Sequence, residues 1–102
     1  MRPAAPLTQA ATVFVVTLQA VAGPDNAEPD GRRYDILVFA RADDQDEAER
    51  VAFHGLAQLG WIEARALRTG EIVDPDAIPD DLRGAFDRAR VGGCAVIVYD
   101  EP

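Results

Sequence analysis

Arg32-Arg33-Tyr34-Asp35-Ile36-Leu37-Val38-Phe39-Ala40-Arg41 is the stretch on which the fold turns. Ile36 to Ala40 run without a polar interruption between charged neighbours, and branched and aromatic residues of this kind suit a pleated strand. Successive side chains of a strand leave on opposite faces. Asp35, Leu37, Phe39 and Arg41 therefore share one face, and Ile36, Val38 and Ala40 share the other. Both faces carry apolar bulk, so both need cover.

Upstream, residues 12–21 form a second strand candidate, with Phe14, Val16 and Leu18 on one side and Val13 and Val15 on the other. The run Gly23-Pro24-Asp25-Asn26-Ala27-Glu28-Pro29-Asp30-Gly31 between the two is dense in turn formers. The simplest pairing is an antiparallel hairpin with a long tip.

Downstream, Ala48, Val51, Ala52, Gly55, Leu56 and Leu59 recur at helical spacing. Asp43 or Asp44 serves as the cap, Asp46, Glu47 and Glu49 suit the positive end of the helix, and Gly60 stops it. A third strand follows at 61–68, where Ile62, Ala64 and Ala66 alternate with Glu63 and Arg65, and Thr69-Gly70 turns the chain. Asp74-Pro75-Asp76 predicts a short helical turn. A second helix begins at Pro79, carries the stripe Leu82, Ala85, Phe86 and Ala89, and ends at Gly92-Gly93. The last strand, residues 94–99, is apolar on both faces and reads as central.

These elements predict an α+β fold: a two-layer α/β sandwich with a four-stranded mixed sheet, both helices on one face, in the order ββαβαβ. The chain reads as one domain over residues 12–102, behind a flexible or loosely docked arm at 1–11. A length of 102 residues and 48% hydrophobic content suit a single domain that buries roughly 60–70% of its unfolded surface.

Charge and composition narrow the function classes. The formal net charge is −8, and all ten basic residues are arginine. Such a surface repels phosphate backbones and anionic lipid, so neither nucleic acid nor a membrane is an expected partner. No run approaches the ~18–20 apolar residues of a membrane span. Ala20-Val21-Ala22 before Gly23 has the small-x-small form of an export cleavage site. The Thr/Val/Phe-rich run before it reads better as a strand. The expected compartment is the cytoplasm, with export as the alternative if residues 1–22 act as a signal segment.

No catalytic, metal or cofactor signature survives a residue-by-residue check. Counted from Asp44 as a calcium loop, the sixth position is Glu49 and the twelfth Gly55, where a glycine and a glutamate are required. Asp74, Asp76, Asp80 and Asp81 fail the same test at Ile78, and both acidic groups are explained as helix caps. His54, the single histidine, points away from the apolar stripe of its helix. Cys94, the single cysteine, opens a strand and reads as an inert thiol. Gly92-Gly93 follow a helix and open a strand, the reverse of a phosphate loop.

With both helices on one side, Val13, Val15, Leu37, Phe39, Ile97 and Tyr99 form an uncovered apolar face rimmed by Asp35, Arg41, Glu63 and Arg65. Ile36, Val38, Ala40, Ile62, Ala64 and Ala66 face the helices. That surface exceeds what a monomer ordinarily leaves open. A non-enzymatic interaction module follows, self-associating through this face as a homodimer or holding another protein. The alternative is a small-molecule-binding or enzymatic domain with its site between the sheet face and the 22–33 loop, where Arg32 and Arg33 hold an anion. A helix on each face would leave no such surface.

Overall fold

The computed structural model describes residues 12–27 and 29–99. The arm expected at 1–11 lies outside the described residues. In chain order the elements are β1 (Val13–Ala22), β2 (Arg33–Arg41), α1 (Gln45–Gln58), β3 (Trp61–Glu71), a single 3-10 turn (Pro75–Ala77), α2 (Asp80–Gly92) and β4 (Cys94–Tyr99). The order ββαβαβ is as the sequence predicts.

The sheet runs β3-β1-β2-β4, and every hydrogen-bonded neighbour is antiparallel. The expected mixed sheet is therefore corrected. β2 and β3 do point the same way, but α1 carries the chain across β1, which separates them. β4 is an edge strand and not a central one. Its apolar character on both sides has another cause: the sheet is covered on both sides.

That double cover is the main correction to the two-layer expectation. α1 sets Ala48, Ala52 and Leu56 against Val16, Leu18, Ile36 and Val38. α2 sets Ala85, Phe86 and Ala89 against Val13, Phe39 and Ala95 on the opposite side. The Phe39 and Phe86 rings meet edge to face at 6.2 Å and 87°, the arrangement aromatic quadrupoles prefer. The deciding segment is 72–79. Ile72 donates its N–H to the Val13 carbonyl at 3.0 Å, and Ile78 packs beneath α2 on the same side as Val15 and Leu37. The chain thus leaves β3 across the face that α1 does not occupy.

Local chemistry sets the element ends. Asp44 accepts the Glu47 N–H at 2.8 Å, and Glu47 returns a carboxylate to the Asp43 N–H at 2.7 Å, a reciprocal cap. α2 ends where Gly93 adopts φ 100 and donates to the Ala89 carbonyl at 2.7 Å, a conformation glycine takes without a Cβ penalty.

β3 runs longer than expected. Thr69 and Gly70 do not turn the chain; they pair with Val16 and Val15. β3 is also irregular, with register shifts opposite Thr17/Leu18 and Gln19/Val21 and a left-handed Glu63 at φ 52. These bulges change which side a residue faces. Ala64 and Ala66 stay with α1, but Ile62 pairs with Val21 and is exposed. Its expected place under the helices is corrected by the bulge.

Two separate cores on opposite sides of one sheet should respond separately to mutation. Leu56→Ala and Phe86→Ala should each cost about 3 kcal/mol. The double variant should lose their sum within about 0.5 kcal/mol, because Leu56 and Phe86 lie in separate core clusters on opposite sides of the sheet. Urea unfolding midpoints of the four proteins check this. A strong deviation from additivity would mean that the helices share one core.

Candidate functional site

The side of the sheet beneath α2 carries all six residues expected on a partner face, but α2 roofs part of it. Val13 and Phe39 are buried under Phe86. Val15, Leu37 and Ile97 are half-buried, and Tyr99 is 42% exposed. Across the strands, Thr17 lies opposite Leu37, Leu37 opposite Ile97, and Asp35 opposite Tyr99. Between sheet and helix remains an open apolar groove of about 420 Å³, walled by Val15, Leu37, Phe39, Ile72, Ile78 and Leu82.

The polar residues of this side divide into two groups. Gln19 donates to Asp35 at 3.0 Å and accepts from Arg65 at 3.3 Å. Beside them, Arg33 pairs with Glu63 at 3.4 Å. Asp35, Glu63 and Arg65 therefore form one band across β2, β1 and β3. Arg41 stands at the other end, donating to the Arg90 carbonyl at 2.8 Å. It ties down the last turn of α2 and does not join the rim. Exposed pairs of this kind each contribute about 0–1 kcal/mol, so the band acts more through position than through stability.

The structure does not bring Arg32 and Arg33 together. Arg33 reaches Glu63 on the α2 side, while the Arg32 guanidinium sits 5.8 Å above the Tyr34 ring. In this structure the two guanidinium groups thus have different neighbours and do not converge on one point.

A second concavity lies under the 23–32 loop, on the α1 side and not on the α2 side. It has a volume of about 370 Å³ and is lined by Ala22, Asn26, Tyr34, Leu59, Trp61 and Val98. Tyr34 and Trp61 meet edge to face at 5.6 Å. The loop is fastened here: Asn26 donates its side-chain amide to the Leu59 carbonyl at 2.9 Å, and Gly23 donates to the Gly60 carbonyl at 3.1 Å. Gly60 has φ 84, and a Cβ on it would stand 2.3 Å from the Asn26 nitrogen. Only glycine lets the loop sit down. The Tyr34 hydroxyl and the Arg32 N–H both donate to the Asp30 carboxylate, which holds it below the ordinary carboxylate range. Sequence reasoning missed this pocket. Its one visible signal was an aromatic, Trp61, directly after a helix-stopping glycine.

The remaining singled-out residues fall into place. His54 is exposed. Phe53, its neighbour in α1, is half-buried against the core. Cys94 is half-buried, close enough to α1 that a Cβ on Gly55 would come within 3.1 Å of its sulfur. Among the described residues no group of three or more His, Cys, Asp or Glu side chains is placed to hold a metal ion. No described helix is long and apolar enough to cross a membrane. No protein-family model matches the chain, and no curated protein or solved structure shows significant similarity to it.

Burial pushes the Cys94 thiol above its ordinary value, so little thiolate forms at neutral pH. Alkylation by iodoacetamide at pH 7.5 should be at least about ten-fold slower than for free cysteine. The rate should climb with pH past the midpoint of an ordinary thiol. A fast reaction at neutral pH would show an activated cysteine instead.

Proposed function

We propose that this chain is a small non-enzymatic interaction module that associates with a second copy of itself. The supporting observation is the distribution of apolar surface that its own helices leave. On the α2 side the groove beside Val15 and Leu37 stays open, and at the β4 border of that side Tyr99 is 42% exposed. Apolar surface gathered on one side favours association. The acidic net charge of −8 and the mixed-sign band of Asp35, Glu63 and Arg65 fit a protein partner better than a nucleic acid. Sedimentation of the full chain at tens of micromolar should give twice the 11.0 kDa chain mass. A single species at the chain mass throughout that range would end this reading.

A second reading is favoured by one observation, the aromatic pocket beneath the 23–32 loop. Its lining of Tyr34, Trp61, Leu59 and Val98 with the amide of Asn26 suits a small, largely apolar ring compound with one polar edge. A ligand that binds only the folded form raises the melting temperature. A thermal-shift screen of aromatic acids, amides and nucleobases should therefore give a hit that Trp61→Ala abolishes. No shift from any of these classes would remove the ligand reading.

A further inference from the structure

The two free edges of the sheet are built differently, and the difference points to where a second copy attaches. β3, at one edge, carries two register shifts, a left-handed Glu63, and the charges Glu63, Arg65, Arg68 and Glu71. Bulges and charges are the devices that keep an edge from pairing with another chain. β4, at the other edge, has none of them. Cys94-Ala95-Val96-Ile97-Val98-Tyr99 holds no charge and no proline, and its pairing with β2 is regular from Cys94 to Tyr99. Among the described residues its outward row of backbone N–H and C=O groups has no partner strand.

We infer that two copies of this chain join β4 to β4 about a two-fold axis, making one continuous antiparallel sheet with four strands from each. The inference rests on the self-association proposed above and names its surface. Opposite residues in such a ladder must share a face, so the axis passes at Val96 or at Ile97. A ladder of one short strand falls well below the ~1,000 Å² that a stable interface buries. A second contact has to accompany it.

α2 supplies that contact. It lies over β4 and β2, near the edge in question. Across an added pair of strands ~4.8 Å apart, a helix above the β2–β4 seam meets its two-fold mate at about 10 Å, an ordinary helix-packing distance. The flank of α2 that turns to the mate follows from its contacts. Arg83 donates to the Ile78 carbonyl at 3.4 Å, so the flank of Arg83 and Arg90 faces the 72–79 segment and the interior of the sheet. Below the helix lie Ala85, Phe86 and Ala89. The remaining lateral flank carries Asp81, Gly84 and Arg88, and it faces the free edge.

That flank is complementary to itself. In an antiparallel pair of helices, Asp81 of one copy lies against Arg88 of the other, twice, with Gly84 near the centre allowing close approach. Asp81 and Arg88 are both exposed, and neither forms an ion pair among the described residues. The heights agree as well. Gly84 and Ala85 lie about 11 Å below the end of α2 at a rise of ~1.5 Å per residue. Val96 and Ile97 lie about 7–10 Å below the start of β4 at ~3.3 Å per residue. Because α2 ends beside Gly93 and β4 begins there, one two-fold axis serves both contacts.

The test is a charge swap read by sedimentation equilibrium of the full chain, with far-UV circular dichroism to confirm folding. Asp81→Arg and Arg88→Asp should each raise the dimer dissociation constant at least ten-fold, and the double variant should return it to within about three-fold of the starting value. Val98→Lys, at the β4 edge, should give a monomer, whereas Leu67→Lys, at the β3 edge, should leave the dimer intact. A starting protein that is monomeric throughout would overturn both this inference and the self-association reading. A dimer indifferent to Val98→Lys and to both single reversals would overturn this inference alone and place the contact elsewhere. A double variant as weak as the singles would overturn the helix pairing.

Discussion

The antiparallel ladder between β1 and β2 is the constraint on which the other elements depend. Val16 stands opposite Val38 and Val15 opposite Phe39, so each step of the pair presents apolar bulk to alternate sides. Val16 and Val38 are wholly buried beneath α1, and Phe39 lies beneath Phe86 of α2. A hairpin apolar on one side alone would be satisfied by one helix. This one exposes a second surface of comparable size, and burying a side chain such as Phe39 is worth about 2–3 kcal/mol. Placing the later helix on the side left bare is therefore favoured over doubling the cover on a side already roofed by Ala48, Ala52 and Leu56.

Much of this was legible from alternation alone. Asp35, Leu37, Phe39 and Arg41 do share one side, and Ile36, Val38 and Ala40 share the other with Ala64 and Ala66. The α1 stripe, its Asp44 cap and the helical turn at Asp74 also follow from local spacing and turn chemistry. The side taken by α2 does not, because it is decided by where Ile72 and Ile78 cross the sheet, and neither residue carries a periodic signal. The apolar run of β4 misled for a related reason. A strand buried on both faces is common to central strands and to any strand between two helix layers. Only strand order separates the two, and local pattern does not contain it.

The two candidate surfaces differ in the same way. The α2-side face is visible in the sequence because charges mark it at Asp35 and Arg65. Its partial closure is not, since that depends on Phe86 reaching Phe39. The pocket under the 23–32 loop is built from Ala22, Asn26, Tyr34, Trp61 and Val98, residues drawn from four distant parts of the chain. It exists because Gly60 lets the loop backbone approach the end of α1. A long polar loop between two strands reads as a solvated tip until the acceptors for its hydrogen bonds are known. Here they are the Leu59 and Gly60 carbonyls.

An unguarded edge strand is ordinarily a hazard, since a chain with two such edges can add copies without limit. Among the described residues this sheet has only one. Joining β4 to β4 uses the regular edge of both copies, and the outer edges of the assembly are then both β3, each bent by its bulges and carrying charges of both signs. The proposed association would close at two copies by its own geometry. The overall charge of −8 per chain does not oppose it strongly at physiological salt, where exposed charges beyond about 8 Å are screened. At close range the copies would meet a neutral strand and a helix flank that offers one acid and one base. The asymmetry between the two edges thus has a physical consequence: in the proposed dimer it would separate a finite, specific pairing from open-ended aggregation.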